Sequence, residues 1–363
     1  MSAVEARELW SHLAVAGIAA GEMPEARAGA TPWFVRVMLG IAGWIGALFL
    51  LGFVGAGFAF VMENALASVF VGALACAAAA IVFRTARESD FAAQFGLALS
   101  LAGQALLLFG LSRGFERSVA SIALVAALQQ ALLFALVPNF IHRVWCAWTA
   151  GGALAIACTE WGLQSFVPAV LTLAFLWLWL SEFERAARAG RQRALGYGLA
   201  LALAQFLVFN LGQWPGLMAA HGVGASLGRA LGAWPGAVAS VAVLIAGVLK
   251  LLAREGLTPN STMGRFAIAA ALILGLASLK APGVGPAAAI LVLGYANGNR
   301  VLTGLGIGTF VVYLALYYYQ LQMTLLEKSA LLAATGVALL ALRFAAKLAW
   351  PNDDGMREET RHA

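Results

Sequence analysis

The amino-acid sequence specifies an all-α, polytopic transmembrane helical bundle of about twelve spans. Three features require this. Of the 363 residues, 62% are hydrophobic and only 11% are charged, with a mean hydropathy of +0.86. A water-soluble domain is roughly 45–50% apolar and about 25% charged, so a soluble fold of this composition would lack the polar surface to cover itself. Apolar runs long enough to cross a hydrocarbon core of about 30 Å, which takes about 20 helical residues, recur along nearly the whole chain. Those runs do not alternate: Ile41 to Leu51 is apolar throughout, unlike the alternating strands of about 10 residues that build an outer-membrane barrel.

In chain order the spans are expected near 37–61, 66–83, 91–111, 118–137, 144–160, 164–180, 194–212, 235–252, 264–280, 284–297, 301–319 and 330–350. Residues 1–36 precede them as a cytoplasmic helix and linker, and 351–363 follow as a polar tail. The N-terminus does not read as a signal peptide, because residues 1–30 carry Glu5, Arg7, Glu8, Glu22, Glu25 and Arg27 without a long apolar core. Over 3–20, Leu9, Leu13, Ala16 and Ala20 form one helical stripe, ended by Gly21-Glu-Met-Pro24. That helix would lie on the membrane surface, dock on a partner, or pack on loops of its own chain.

Loop charges set the orientation. On a twelve-span reading, Arg113, Arg117, Arg229, Lys280 and Lys328 fall on one side, and the remaining 18 of 23 Lys and Arg residues fall on the other. Basic loops are retained in the cytoplasm, so both termini are expected on the cytoplasmic side of a bacterial inner membrane. The net charge of +6 belongs to these loops. No basic patch with interleaved aromatics marks a nucleic-acid surface. Segment 284–297 is short. With 264–280 and the turn Lys280-Ala-Pro-Gly-Val-Gly-Pro286 it forms either two thin spans or a re-entrant pair, giving ten spans, and both preserve the charge parity.

Residues 213–234 form the longest non-cytoplasmic stretch, bracketed by Trp214-Pro-Gly and Trp234-Pro-Gly. Such tryptophans suit interfacial anchors. Small residues mark close helix packing: Gly40, Gly43 and Gly46; Ala93, Gly96, Ser100 and Gly103; and the pair Gly304 and Gly308. Cys76, Cys146 and Cys158 lie inside apolar segments with no metal-ligand spacing. They read as small lipid- or helix-facing residues, not a disulfide framework.

The functional pointers are polar residues inside the spans. Gln94, Gln104, Gln129, Gln130, Gln205, Asn210 and Asn297 need hydrogen-bond partners in hydrocarbon. They either glue helices together or line a path for a small solute. Gln94, Gln104, Gln205, Asn210 and Asn297 make up the candidate intramembrane polar site. No charge sits at a span centre, which argues against ion-coupled transport. His12, His142, His221 and His362 are read as loop or tail residues. With no catalytic motif, neither enzymatic activity nor a cofactor or metal is expected.

Several stretches together resemble a known bacterial family. They are Pro32–Gly40 leading into Gly43–Gly52; Asp90–Phe95 through Gly103-Gln104; Asn297–Gly306; and Tyr317–Tyr319 followed by Leu325–Ser329. Over roughly residues 9 to 350 the chain is similar to the integral-membrane family called domain of unknown function 4401. The resemblance implies a multi-pass inner-membrane protein. It also implies a candidate partner, a second membrane protein bearing a GDYxxLxY motif. Two roles follow as expectations: binding or permeation of a small solute or lipid, or a scaffold for another membrane protein.

Overall fold

In a computed structural model of the protein, the described residues are 3–17, 64–85, 89–113, 118–182, 189–211, 234–320 and 324–349, with isolated positions between 21 and 63 and at 230 and 232. Span 37–61 falls mostly outside them, as do loop 213–234 and tail 351–363. Among the described residues all regular structure is helical: α1 (Ala3–Val15), α2 (Ala65–Thr85), α3 (Asp90–Ser112), α4 (Val119–Leu136), α5 (Phe140–Glu160), α6 (Val167–Leu180), α7 (Ala189–Leu211), α8 (Trp234–Arg254), α9 (Thr262–Lys280), α10 (Val284–Ala296), α11 (Arg300–Gln320) and α12 (Leu325–Ala349), with a 3-10 turn at Gln164–Phe166 before α6. Seven of them, α2, α3, α4, α7, α8, α9 and α11, are long and apolar enough to cross a membrane.

Helix ends carry the expected caps. Ser89, Ser118, Asn139 and Ser261 each sit in extended conformation, and their side chains accept from a backbone N–H three residues on, which satisfies one of the orphan donors of the first turn. Thr324 and Glu327 form a reciprocal capping box at the start of α12. The bonds from Thr324 hold the exposed Glu327 carboxyl below its ordinary range. The N-terminal helix is shorter than its stripe suggests. It ends at Val15, and Gly17 takes a positive φ of 69°, so the left-handed turn that only glycine adopts freely comes four residues before Gly21.

Packing follows chain order in two groups joined by α7, which lies against α5, α6 and α11. In the first group α2 and α3 approach backbone to backbone. A Cβ on Gly103 would stand 2.8 Å from the Gly72 carbonyl oxygen, and one on Gly72 would stand 2.6 Å from the Leu107 nitrogen. In hydrocarbon no hydrophobic force pushes helices together, so such close small-residue contact supplies the attraction. The second group surrounds α10, in which every residue from Val284 to Ile290 is buried. Phe175, Leu203, Ile290, Leu302 and Tyr313 are the large side chains of this core. The Tyr313 hydroxyl accepts from the Gly283 N–H at 2.8 Å, and Ser278 Oγ accepts from the Gly285 N–H at 2.9 Å. These two bonds fix the tight turn between α9 and α10. Among the described residues Gly304 and Gly308 do not make the expected contact, since a Cβ on either would meet no described atom within 4 Å. Gly306 packs on Leu291 instead, on the face two residues away.

One end of the bundle is basic and cross-linked. Arg84 and Arg143 donate to the carbonyls of Leu136 and Phe134 at the end of α4, and Arg193 pairs with buried Glu182. Phe140 packs edge-on against Tyr197, Tyr197 hydrogen-bonds Asn299, and Arg254 donates to Asn297 Oδ1 at 2.7 Å. The C-termini of α2, α4 and α8 therefore share an end with the N-termini of α5 and α7.

Candidate functional site

The buried polar groups concentrate between α3, α4 and α5. Ser100 and Gln104 lie one turn apart on α3, so both face the same neighbours. Gln104 Nε2 donates to Ser100 Oγ at 3.0 Å, and its Oε1 accepts from Gln130 Nε2 at 2.9 Å. Gln129 Nε2 donates to the Gln104 backbone carbonyl at 3.0 Å. His142, on the first turn of α5, is fully buried. Its Nε2 stands 2.8 Å from Ser100 Oγ and 3.3 Å from Gln104 Nε2, and its Nδ1 stands 3.5 Å from Cys146 Sγ. The Gln104 nitrogen is only a donor, so the tautomer with its proton on Nδ1, toward the thiol, lets Nε2 accept from it. Phe83 of α2 closes the ring's flank, with centroids 5.4 Å apart.

A cavity of about 270 Å³ adjoins this network, lined by Gln104, Gln129, Gln130, Trp145 and Thr149 among apolar residues. Gln129 and Gln130 are both more than nine-tenths buried. The nitrogen of each is engaged, and the Oε1 of each is buried without a hydrogen-bond partner. The site therefore keeps two buried acceptors without a donor.

Of the residues anticipated for a polar site, Gln104 is the hub of this cluster. Gln205 is elsewhere, accepting from the Trp148 indole N–H across the α5–α7 interface. Asn297 caps the end of α10 and holds Arg254. Gln94 lies half-buried near the start of α3, where its Cβ would be 2.9 Å from a Cβ on Gly43. Asn210 is in α7, with a side chain outside the described residues. The four with described side chains, Gln94, Gln104, Gln205 and Asn297, thus occupy separate places.

His142 corrects the sequence reading, which put it in a loop. Asn139 caps α5 by accepting from the His142 N–H, which starts the helix early enough to bury the ring. The signal was the spacing of His142 and Cys146, four apart like Ser100 and Gln104. Cys76 and Cys146 share a buried cluster with Leu133. Both are free thiols. Among the described residues no group of three or more His, Cys, Asp or Glu is placed to hold a metal ion.

Among the described residues all regular structure is helical, and seven helices have the length and apolar character of membrane spans, as in a helical membrane protein. The chain belongs to the DUF4401 family, a domain of unknown function, whose model matches residues 32–348. No curated protein and no solved structure matches it.

Proposed function

We propose that the protein is a non-enzymatic, multi-pass inner-membrane protein that binds a small solute bearing N–H or O–H groups in the α3–α5 cavity. The observation that carries this is the pair of unpartnered acceptors, Gln129 Oε1 and Gln130 Oε1, beside a cavity large enough for such a solute. A buried acceptor without a donor costs about 1–3 kcal/mol, and a donor-bearing occupant removes that cost. The absence of a charge in the Gln104 network favours a neutral or singly charged small molecule over a coupled ion.

The same reading takes twelve spans, with span 37–61 packed through Gly43 on α3, and places both termini in the cytoplasm. Supporting it, arginines from α2, α5, α7 and α8 collect at one end of the bundle, as basic residues do at a cytoplasmic face. Reporter fusions at the two termini test the orientation, and signals from opposite faces would exclude it.

For the site, thermal unfolding of the detergent-purified protein should be followed with urea, formamide, ethanolamine and methylammonium as probes. At least one should raise the Tm of the wild type saturably and leave Gln130→Leu unmoved. Identical responses in both proteins, or none in either, would defeat the proposal. A stoichiometric second membrane protein in the purified material would then favour the scaffold role.

A further inference from the structure

We propose that the cavity between α6, α8, α9 and α10 holds an acyl chain of an anionic phospholipid, whose phosphate rests on Arg254. The cavity measures about 220 Å³, and every residue lining it is Leu, Val, Ala or Gly. For comparison, an apolar cavity of about 150 Å³ in another protein stays dry and takes up benzene. Water finds no hydrogen-bond partner here, so the fitting occupant is hydrocarbon. The lining runs from Leu244 to Leu252 on α8, roughly 12 Å of helix, which suits an extended chain better than a compact ring. The cavity is not sealed. Val292 lines it and is still 45% exposed, so a chain can enter sideways from the bilayer.

The polar end follows from helix periodicity. Gly247 and Leu251 line the cavity, and the next residue on that face is Arg254. On α10, Leu293 lines it, and one turn later comes Asn297. These two residues meet: Arg254 Nη1 donates to Asn297 Oδ1 at 2.7 Å. The bond steadies an exposed guanidinium where the cavity runs out. Asn297 Nδ2 beside it is a buried donor without an acceptor, the complement of a phosphate oxygen. Lys250, Arg265 and Arg300 are exposed near it, as is the carboxylate Glu255. Guanidinium groups pair with phosphate through parallel N–H bonds, and basic clefts between transmembrane helices select anionic headgroups. Transfer of a chain from bilayer to cavity changes little in hydration. Attraction therefore comes from filling a void whose walls lack neighbours, and selectivity comes from the headgroup.

The full-length protein in mild detergent should be offered phosphatidylglycerol or phosphatidylcholine and examined by native mass spectrometry. The wild type should retain phosphatidylglycerol preferentially, with the preference shrinking as salt rises. Arg254→Gln should lower that retention about tenfold, the scale of one lost charge-assisted bond. Ala270→Phe, which fills the cavity, should abolish it while leaving Arg254 in place. Equal retention of the two lipids by the wild type overturns the proposal without recourse to any variant. So does retention that survives Ala270→Phe in a folded protein.

Discussion

Between α3, α4 and α5 the interior is a chain of hydrogen bonds from Gln130 through Gln104 and Ser100 to His142. Between α8, α9 and α10 a cavity is walled by apolar residues alone. On the proposed reading both regions face hydrocarbon, where burial of apolar surface gains nothing over lipid, so each needs another source of cohesion. The first group uses polar side chains as directional ties, together with the glycine-to-glycine approach of α2 and α3. The second uses shape, with a wholly surrounded short helix and two backbone-directed bonds at its turn. The difference shows in what each leaves over. Polar ties that do not close leave spare acceptors, and shape packing that does not close leaves a dry void. The two candidate ligands differ accordingly.

The contrast can be broken most forcefully at the glycine contact. Gly103→Val puts branched carbon where a Gly72 oxygen lies 2.8 Å from the nearest possible Cβ. Overpacking of this kind costs about 1–3 kcal/mol or more, read as a large fall in Tm and in monodisperse yield. Gly308→Ala, in open space, should be neutral or slightly stabilising, since alanine favours helix by about 1 kcal/mol. Equal effects at the two positions would remove the distinction between the packed glycine and the open one. Next in size is Tyr313→Phe, which leaves the buried Gly283 N–H without its acceptor. A loss of about 1–3 kcal/mol is expected, and an unchanged Tm would mean that the α9–α10 turn is held by packing alone. Smallest is Gln104→Leu. Interhelical bonds in membranes average about 0.6 kcal/mol, so stability should fall by about 1 kcal/mol while any saturable Tm shift by a small solute disappears. A loss larger than that of Tyr313→Phe would invert the ranking and make the polar region the more cohesive of the two.

Much of the helical layout was legible in the sequence because apolar length is a local property. Segments expected near 66–83, 91–111 and 118–137 correspond to α2, α3 and α4 within a few residues. The glutamines were legible for the same reason, being polar in apolar runs. Which of them meet was not. Gln104 and Gln130 come together through the mutual rotation of α3 and α4, and no periodicity within either helix records that. His142 was hidden by its neighbours: Arg143 beside it suggested water, yet the arginine turns to the Phe134 carbonyl while the histidine turns inward. Gly304 and Gly308 carried a familiar spacing, but helix rotation gives the contact to Gly306. The sequence reports which faces exist, and only packing decides which face is used.

The enclosure of α10 bears on how the protein is made. Thirteen residues give a rod of about 20 Å, and the buried run Val284–Ile290 leaves that half of the rod no side to offer to lipid. A segment leaving the insertion machinery ordinarily settles in the bilayer by itself and finds neighbours afterwards. This one has no comfortable resting place until α11, which follows it in the chain, supplies Leu302 and Tyr313 to its wall. Synthesis must therefore run past Tyr313 before the centre of the second group can close. A released chain truncated after Asn297 should leave α10 open to protease, whereas one truncated after Gln320 should protect it.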